Sequence, residues 1–387
     1  MFSQRTNWSL TPNPLSEALE KHRAAGKPLI DLTVSNPTKC GFEYDQEAIL
    51  RALSNPAGLT YEPDPKGLCS AREAVAQYYA ERDKKVSPEN ILLTASTSEA
   101  YSFAFRLLCN PGDEILIPSP SYPLFGFLAD LHDVRMLRYP LIYDHGWQID
   151  FYSLMKAITS RTRGVIVVHP NNPTGNYCKP QEMEKLNEIC AKHSLAIVAD
   201  EVFLDFDLTG PRPGSFAANT GVLTFAMSGL SKVCGLPQMK MAWVVVSGPS
   251  EKKAEALSRL EVIADTYLSV NTPVQLATPI LLEQRHLFQR QLMARVRRNL
   301  TELQSKLSAD ARLKVEGGWY AVLRLPLNSS DEDLALKLLK KNNIYLHPGH
   351  FYDFSGQGYV VSGLILPEMD LRRALEEISG FNKLREC

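Results

Sequence analysis

Short apolar runs that break off into Ser, Thr, Asn, Asp or Gly recur through the first 250 residues of the chain. NILLTA (90–95) reads as a buried strand, and STSEAYSFAFRLLC (96–109), with its apolar positions at helical spacing, as the helix that follows it. DEILIPSPSYP (113–123), GVIVVHP (164–170), LAIVADEVF (195–203), VLTFAMS (222–228) and KMAWVVVSG (240–248) read as further buried strands. Helical stretches such as KPQEMEKLNEICAKH (179–193) separate several of them. Strands alternating with helices predict βαβ units and a mostly parallel sheet. A long helical pattern covers about residues 250–305 and breaks near 271–273. RLKVEGGWYAVLRLP (312–326), NNIYLHPGHF (342–351), GYVVSGLIL (358–366) and a last helix read as a smaller α/β unit.

Composition narrows the function classes. With 387 residues, 44% of them hydrophobic, the chain can bury a large core and form more than one domain. Its 42 basic and 43 acidic residues leave a formal charge of −1, so no broad attraction to nucleic acid or anionic membrane is encoded. The N-terminal residues contain neither a signal-like apolar region nor a membrane-span-length stretch, and a cytoplasmic location is expected. Seven dispersed cysteines without a CxxC pair predict free thiols, and the lone pair His347 and His350 gives no metal site.

Three of the strand ends carry chemistry. The run FAMSGLSKVCGLPQMKMAW (225–243) delivers Lys232 into a Ser- and Gly-rich turn, and the apolar runs of GVIVVHPNNPTG (164–175) and LAIVADEVF break off into polar residues that supply Asn172 and Asp200. An asparagine, a carboxylate and an amine thus lie just past buried strands, where open α/β sheets place ligands. In order and spacing, NPTG (172–175), Asp200 and Lys232 resemble the pyridoxal-phosphate-dependent aminotransferases of fold type I, class I/II, over nearly the whole chain.

The resemblance implies a three-layer large domain with a mostly parallel sheet and a smaller α/β domain. Its boundaries would be an arm at 1–45 packing with the small domain, a cofactor domain at 46–275 and a small domain at 276–387. It implies pyridoxal 5′-phosphate as cofactor, with an amino acid and a 2-oxo acid as substrates. Lys232 would hold the cofactor as an imine and then move the proton at the substrate Cα, with pyridoxamine phosphate linking the two half-reactions. Asp200 would keep the pyridine nitrogen protonated, and Asn172 would donate to the ring O3′ and lie near the substrate carboxylate.

Ser96, Thr97 and Ser98 would bind the phosphate at a helix N-terminus, where Glu99 also completes a capping box with Ser96. Ser231 precedes the lysine as expected, whereas Gly229 stands where a second phosphate serine is usual and Ser228 lies one place early. Lys240 replaces a phosphate-gripping arginine, keeping the charge without the bidentate fork. Tyr122 would stack on the ring. Tyr61, in YEPDPKG (61–67), would reach the phosphate of a neighbouring subunit, which makes the expected assembly a homodimer with shared sites. Phe203 replaces a tyrosine and has no hydroxyl for O3′.

Val361, in GYVVSGLILPEMD (358–370), occupies the position of the family's carboxylate-binding arginine, so carboxylate recognition must be reorganised. His347 and His350 are the nearest substitutes in sequence. An aminotransferase is therefore the leading expectation. The alternatives are a pyridoxal-phosphate lyase acting on a β-substituted amino acid and a non-catalytic effector-binding regulator, for which no basic DNA-binding segment is seen.

Overall fold

The computed structural model describes residues 1–210, 213–325 and 330–383. Its strands, in chain order, are β1 (Ile30–Asp31), β2 (Ile91–Thr94), β3 (Glu114–Ser119), β4 (Arg135–Tyr143), β5 (Trp147–Ile149), β6 (Thr162–Val168), β7 (Ala196–Asp200), β8 (Thr224–Gly229), β9 (Ala242–Ser247), β10 (Tyr320–Arg324), β11 (Ile344–Tyr345), β12 (His347–Pro348) and β13 (Tyr359–Gly363). Eight of them form one sheet in the order β2-β9-β8-β7-β6-β3-β4-β5. Pairing is parallel from β8 through β4, while β9 is antiparallel to both its neighbours and β5 is antiparallel to β4.

The buried strands carry apolar residues at nearly every position, and the pleat sends alternate ones to opposite faces. Leu93, Leu116, Val165, Val167, Ile197, Ala226, Trp243 and Val245 join one cluster, which the helices Cys69–Ala80 and Pro180–His193 cover. Leu92, Ile115, Ile117, Ile166, Val198, Phe225, Met227 and Val244 join the other, under the helices Thr97–Leu108 and Ser250–Tyr267. The result is the three-layer α/β/α arrangement expected from the strand and helix alternation.

A third cluster builds a smaller unit around β10-β13-β12 and the two-stranded β1-β11 pair. Leu15, Leu19, Leu32 and Phe42 of the N-terminal segment belong to it. The 35-residue helix Thr272–Lys306, capped by the Asn271 side chain, serves both cores. Leu281 and Leu282 pack in the cluster under the large sheet, and Phe288, Leu292 and Val296 in the smaller one.

The NPTG turn is where the two units meet. Gly175 has φ +72°, and its carbonyl accepts from the backbone of Glu316 (3.2 Å) and Gly317 (2.8 Å). A Cβ at Gly175 would stand 2.7 Å from the Gly317 carbonyl oxygen, so both conformation and space demand glycine there. Gly175→Ala should therefore lower unfolding free energy by more than about 1 kcal/mol, measured as a shift in denaturant midpoint at unchanged m.

Candidate active site

The parallel strands end together at one edge of the sheet, and the polar residues just beyond them converge there. Asp200 closes β7 and Lys232 lies in the short helix Leu230–Val233 after β8. Asn172 follows β6, the Ser96–Ser98 turn follows β2, and Tyr122 follows β3. Asn172, Asp200 and Lys232 are thus brought to one edge by strand pairing, because β7 pairs with both β6 and β8.

Lys232 and Asp200 are the electrostatic centre. Burial lowers the Lys232 amine to about 8, against the opposing influence of the Asp200 charge. Its Nζ stands 4.9 Å from the ring centre of Trp319 and 5.5 Å from that of Phe203. Asp200 is 8% exposed, and burial raises its pKa against the help of the Val202 N–H, the Tyr101 hydroxyl and Lys232. Tyr101 donates to Asp200 Oδ2 at 3.0 Å and the Val202 N–H to Oδ1 at 3.1 Å, so the carboxylate is fixed in orientation.

The turn after β2 makes the Ser96 half of the expected capping box, while Glu99 turns to the Ala95 N–H in place of that of Ser96. The Ser96 hydroxyl accepts from the Glu99 N–H (3.1 Å), and Glu99 Oε2 accepts from the Ala95 N–H (2.7 Å). The Ser96 side chain is thereby engaged, while Thr97 and Ser98 present hydroxyls and first-turn N–H groups at the positive end of a twelve-residue helix. Ser231 is partly exposed in the lysine turn. Ser228 does not join the others, since it is 1% exposed within β8 and its hydroxyl lies 3.5 Å from the Glu201 carbonyl. Gly229 is required by packing, because a Cβ would come within 2.8 Å of that of Ala242. Lys240 is exposed in a left-handed conformation after the turn Pro237–Met239.

Asn172 is buried, and its Oδ1 has no hydrogen-bond partner among the described residues. Tyr122 is 43% exposed and packs edge-on to Phe125, and Tyr61 is 72% exposed. Val361 is buried in β13, His347 meets the Tyr352 hydroxyl through Nδ1 at 3.2 Å, and His350 is held by Asp331 through its N–H at 2.9 Å and its ring at 3.3 Å. The two histidines therefore belong to different surroundings.

Tyr101, Trp319, Tyr320 and Tyr352 were not singled out by sequence. Tyr101 lies on the buried face of its helix and reads as core by periodicity. Tyr320 follows Trp319 at the start of β10, and its ring meets Phe203 edge-on at 6.1 Å.

Residues 27–378 match the model of the aminotransferase class I and II family. The chain belongs to that family. It is 30% identical to the glutamate–pyruvate aminotransferase AlaA of Escherichia coli over 264 residues, 68% of this chain and 65% of that protein. It thus spans just under two thirds of that relative's length. It is 27% identical to the alanine aminotransferase of Mycobacterium tuberculosis, covering 95% of this chain and 89% of that one. The solved structure of an alanine aminotransferase from Pyrococcus furiosus superposes with a TM-score of 0.89 at 24% identity, over 100% of each chain, and shares the fold.

A lysine depressed to about 8 is measurable without turnover. In the cofactor-free protein, labelling of Lys232 by an amine-reactive reagent should titrate near pH 8, about two units below surface lysines. Asp200→Asn removes the charge that holds the ammonium form and should move that midpoint lower. Peptide mapping across a pH series reads both.

Proposed function

We propose that the chain is a pyridoxal-phosphate-dependent aminotransferase moving an amino group between an amino acid and a 2-oxo acid. The observation that carries the reading is the Lys232 amine, half neutral near pH 8, facing the fixed Asp200 carboxylate at the ends of adjacent strands. The donor set fits this cofactor. Thr97 and Ser98 offer a phosphate the start of a helix, and buried Asp200 lacks a full cationic partner that a pyridinium nitrogen would supply. Bound there, pyridoxal phosphate supplies an aldehyde that condenses with amines and a ring that accepts the electron pair released at Cα.

The chain's own residues do the rest. Lys232 is a nucleophile because burial brings its pKa down to about 8, so that a far larger share of it is unprotonated at mildly basic pH than of a surface lysine, and the same nitrogen can take the proton from the substrate Cα and return it. Asp200 holds a proton on the ring nitrogen through its charge, with Tyr101 and the Val202 N–H preventing rotation of the carboxylate. Tyr122 would cover a ring face, and Asn172 would donate its amide to O3′. Phe203 gives that oxygen no hydroxyl and, with Trp319, lines one side of the Lys232 amine. Thr97, Ser98, Ser231 and Lys240 form the phosphate end.

Tyr61 completes that end from a second copy of the chain in a homodimer, a reading supported by its exposure. A cytoplasmic setting accords with six free cysteines among the described residues, Cys387 lying outside them. No described helix is long and apolar enough to cross a membrane.

Mixing holoenzyme with a panel of amino acids and a 2-oxo acid should give amino-group exchange, seen as a reversible change in cofactor absorbance. Pyruvate and ammonia released without exchange would mark a lyase instead. Lys232→Ala should abolish exchange while leaving the circular dichroism of the protein unchanged, and residual turnover would displace Lys232 from its role. Tyr61→Phe should weaken cofactor retention by about 1.5–3 kcal/mol, measured by equilibrium dialysis of the dimer. Unchanged retention, or full activity in a monomer, would refute the shared site.

A further inference from the structure

Strand register divides the small sheet into a core face and a cleft face. Tyr320 lies opposite Gly363, Val322 opposite Val361, and Arg324 opposite Tyr359, while His347 lies opposite Val361 from the other side. Directly opposed residues of antiparallel strands point to the same face, with Cβ atoms about 4.5–5.5 Å apart. Tyr320, Val322, Val361 and His347 therefore share one face. The intervening Ala321, Leu323 and Val360 pack into the core of the smaller unit, whereas Val322 joins the cluster under the large sheet. The face carrying His347 is thus the one turned toward the large domain, and its Tyr320 touches Phe203 beside Lys232.

The polar groups nearest His347 on that face are hydroxyls. Tyr352 is buried, its hydroxyl meets His347 Nδ1 at 3.2 Å, and its phenol is influenced by those of Tyr320 and Tyr122. Tyr320 is hydrogen-bonded to Ser35, which is exposed at the mouth. With Nδ1 engaged by Tyr352, His347 Nε2 has no hydrogen-bond partner among the described residues. The remaining groups against the ring are Tyr345 and Phe351, with Asp31 acting on it at longer range and Arg23 paired to Asp31 at 3.8 Å. Among the described residues of these three strands, Arg324 is the one Arg or Lys on the cleft face, one row beyond Val322 and exposed. His350 is withdrawn by its bonds to Asp331.

Resting on the aminotransferase reading, we propose that the substrate's α-carboxylate is received by His347 Nε2, with Tyr352 fixing the ring from Nδ1. This assigns the role to His347 over His350 and over any arginine. Burial lowers the His347 pKa against the pull of Asp31, so the free imidazole is neutral at pH 7 and a docking carboxylate favours its protonation. Recognition would then be weaker than by a permanent guanidinium, and a substrate would also need contacts from its side chain.

The test compares an amino acid with its decarboxylated amine on holoenzyme, by calorimetric titration and by half-reaction kinetics. In wild-type protein the amino acid should bind more tightly. His347→Gln should raise its dissociation constant and KM about tenfold or more, as expected for a lost charge-assisted hydrogen bond, while leaving affinity for the amine unchanged. Tyr352→Phe should move the same ratio by a smaller factor. An unchanged ratio in His347→Gln would overturn the assignment, and so would a ratio that collapses in Arg324→Gln instead. Because the binding arm needs no turnover, a protein that exchanges no amino group yet loses carboxylate preference in His347→Gln would overturn the aminotransferase reading and support this one.

Discussion

A half-buried lysine facing a buried aspartate, at the ends of adjacent parallel strands, is the constraint around which this molecule is built. Neither charge is stable alone in such surroundings, and each shifts the other's titration in the direction that keeps the pair ionised. The sheet supplies the proximity, since the β7-β8 register sets Asp200 opposite Met227 with Lys232 one turn beyond the end of that strand. Aromatic walls supply the desolvation: Phe203 and Trp319 stand against the amine, and Trp319 is packed in turn against Phe206 and Phe288. The hydrophobic contact of the two domains is therefore part of the lysine's chemistry.

Much of this was legible in the sequence because the large sheet is buried on both faces. Continuous apolar runs such as Ile91–Thr94 and Ala196–Asp200 leave no ambiguity, and residues that end them fall at a common edge whatever their spacing in the chain. The edge hairpin β4-β5 was not anticipated. Its strand Arg135–Tyr143 is mostly exposed or half-exposed and mixes Arg, Pro and Tyr, so the apolar pattern that announces a central strand is missing. Polarity of the site was likewise easier to foresee than its support. Asp200 stands out as a carboxylate after an apolar run, whereas Tyr101 occupies a core position of an amphipathic helix, and only the folded chain brings its hydroxyl to that carboxylate.

Ser228 and the two histidines show where local spacing fails. A serine near the lysine looks like a ligand, but Ser228 is buried inside the sheet with its hydroxyl on the Glu201 carbonyl. His347 and His350 are equivalent in a linear reading of YLHPGHF. In the fold one is in a strand with register to Val361, and the other follows in a short helical turn whose backbone and ring are claimed by Asp331. Pairing register, which sequence does not display, separates them.

The cleft wall is fastened to the large domain along both of its sides. On one, the Gly175 carbonyl accepts from Glu316 and Gly317, and the Phe206 carbonyl accepts from Gly318 at 2.9 Å. On the other, the Ser121 N–H donates to the Tyr352 carbonyl at 2.9 Å, and the Ser119 hydroxyl to that of Asp353 at 2.8 Å. β10 and β12 are two strand spacings apart, about 10 Å, with one tether beside each. In the proposed role, a molecule held at Lys232 and reaching toward that wall would be gauged against a frame of set width, with the exposed Ser35 and Tyr122 beside it.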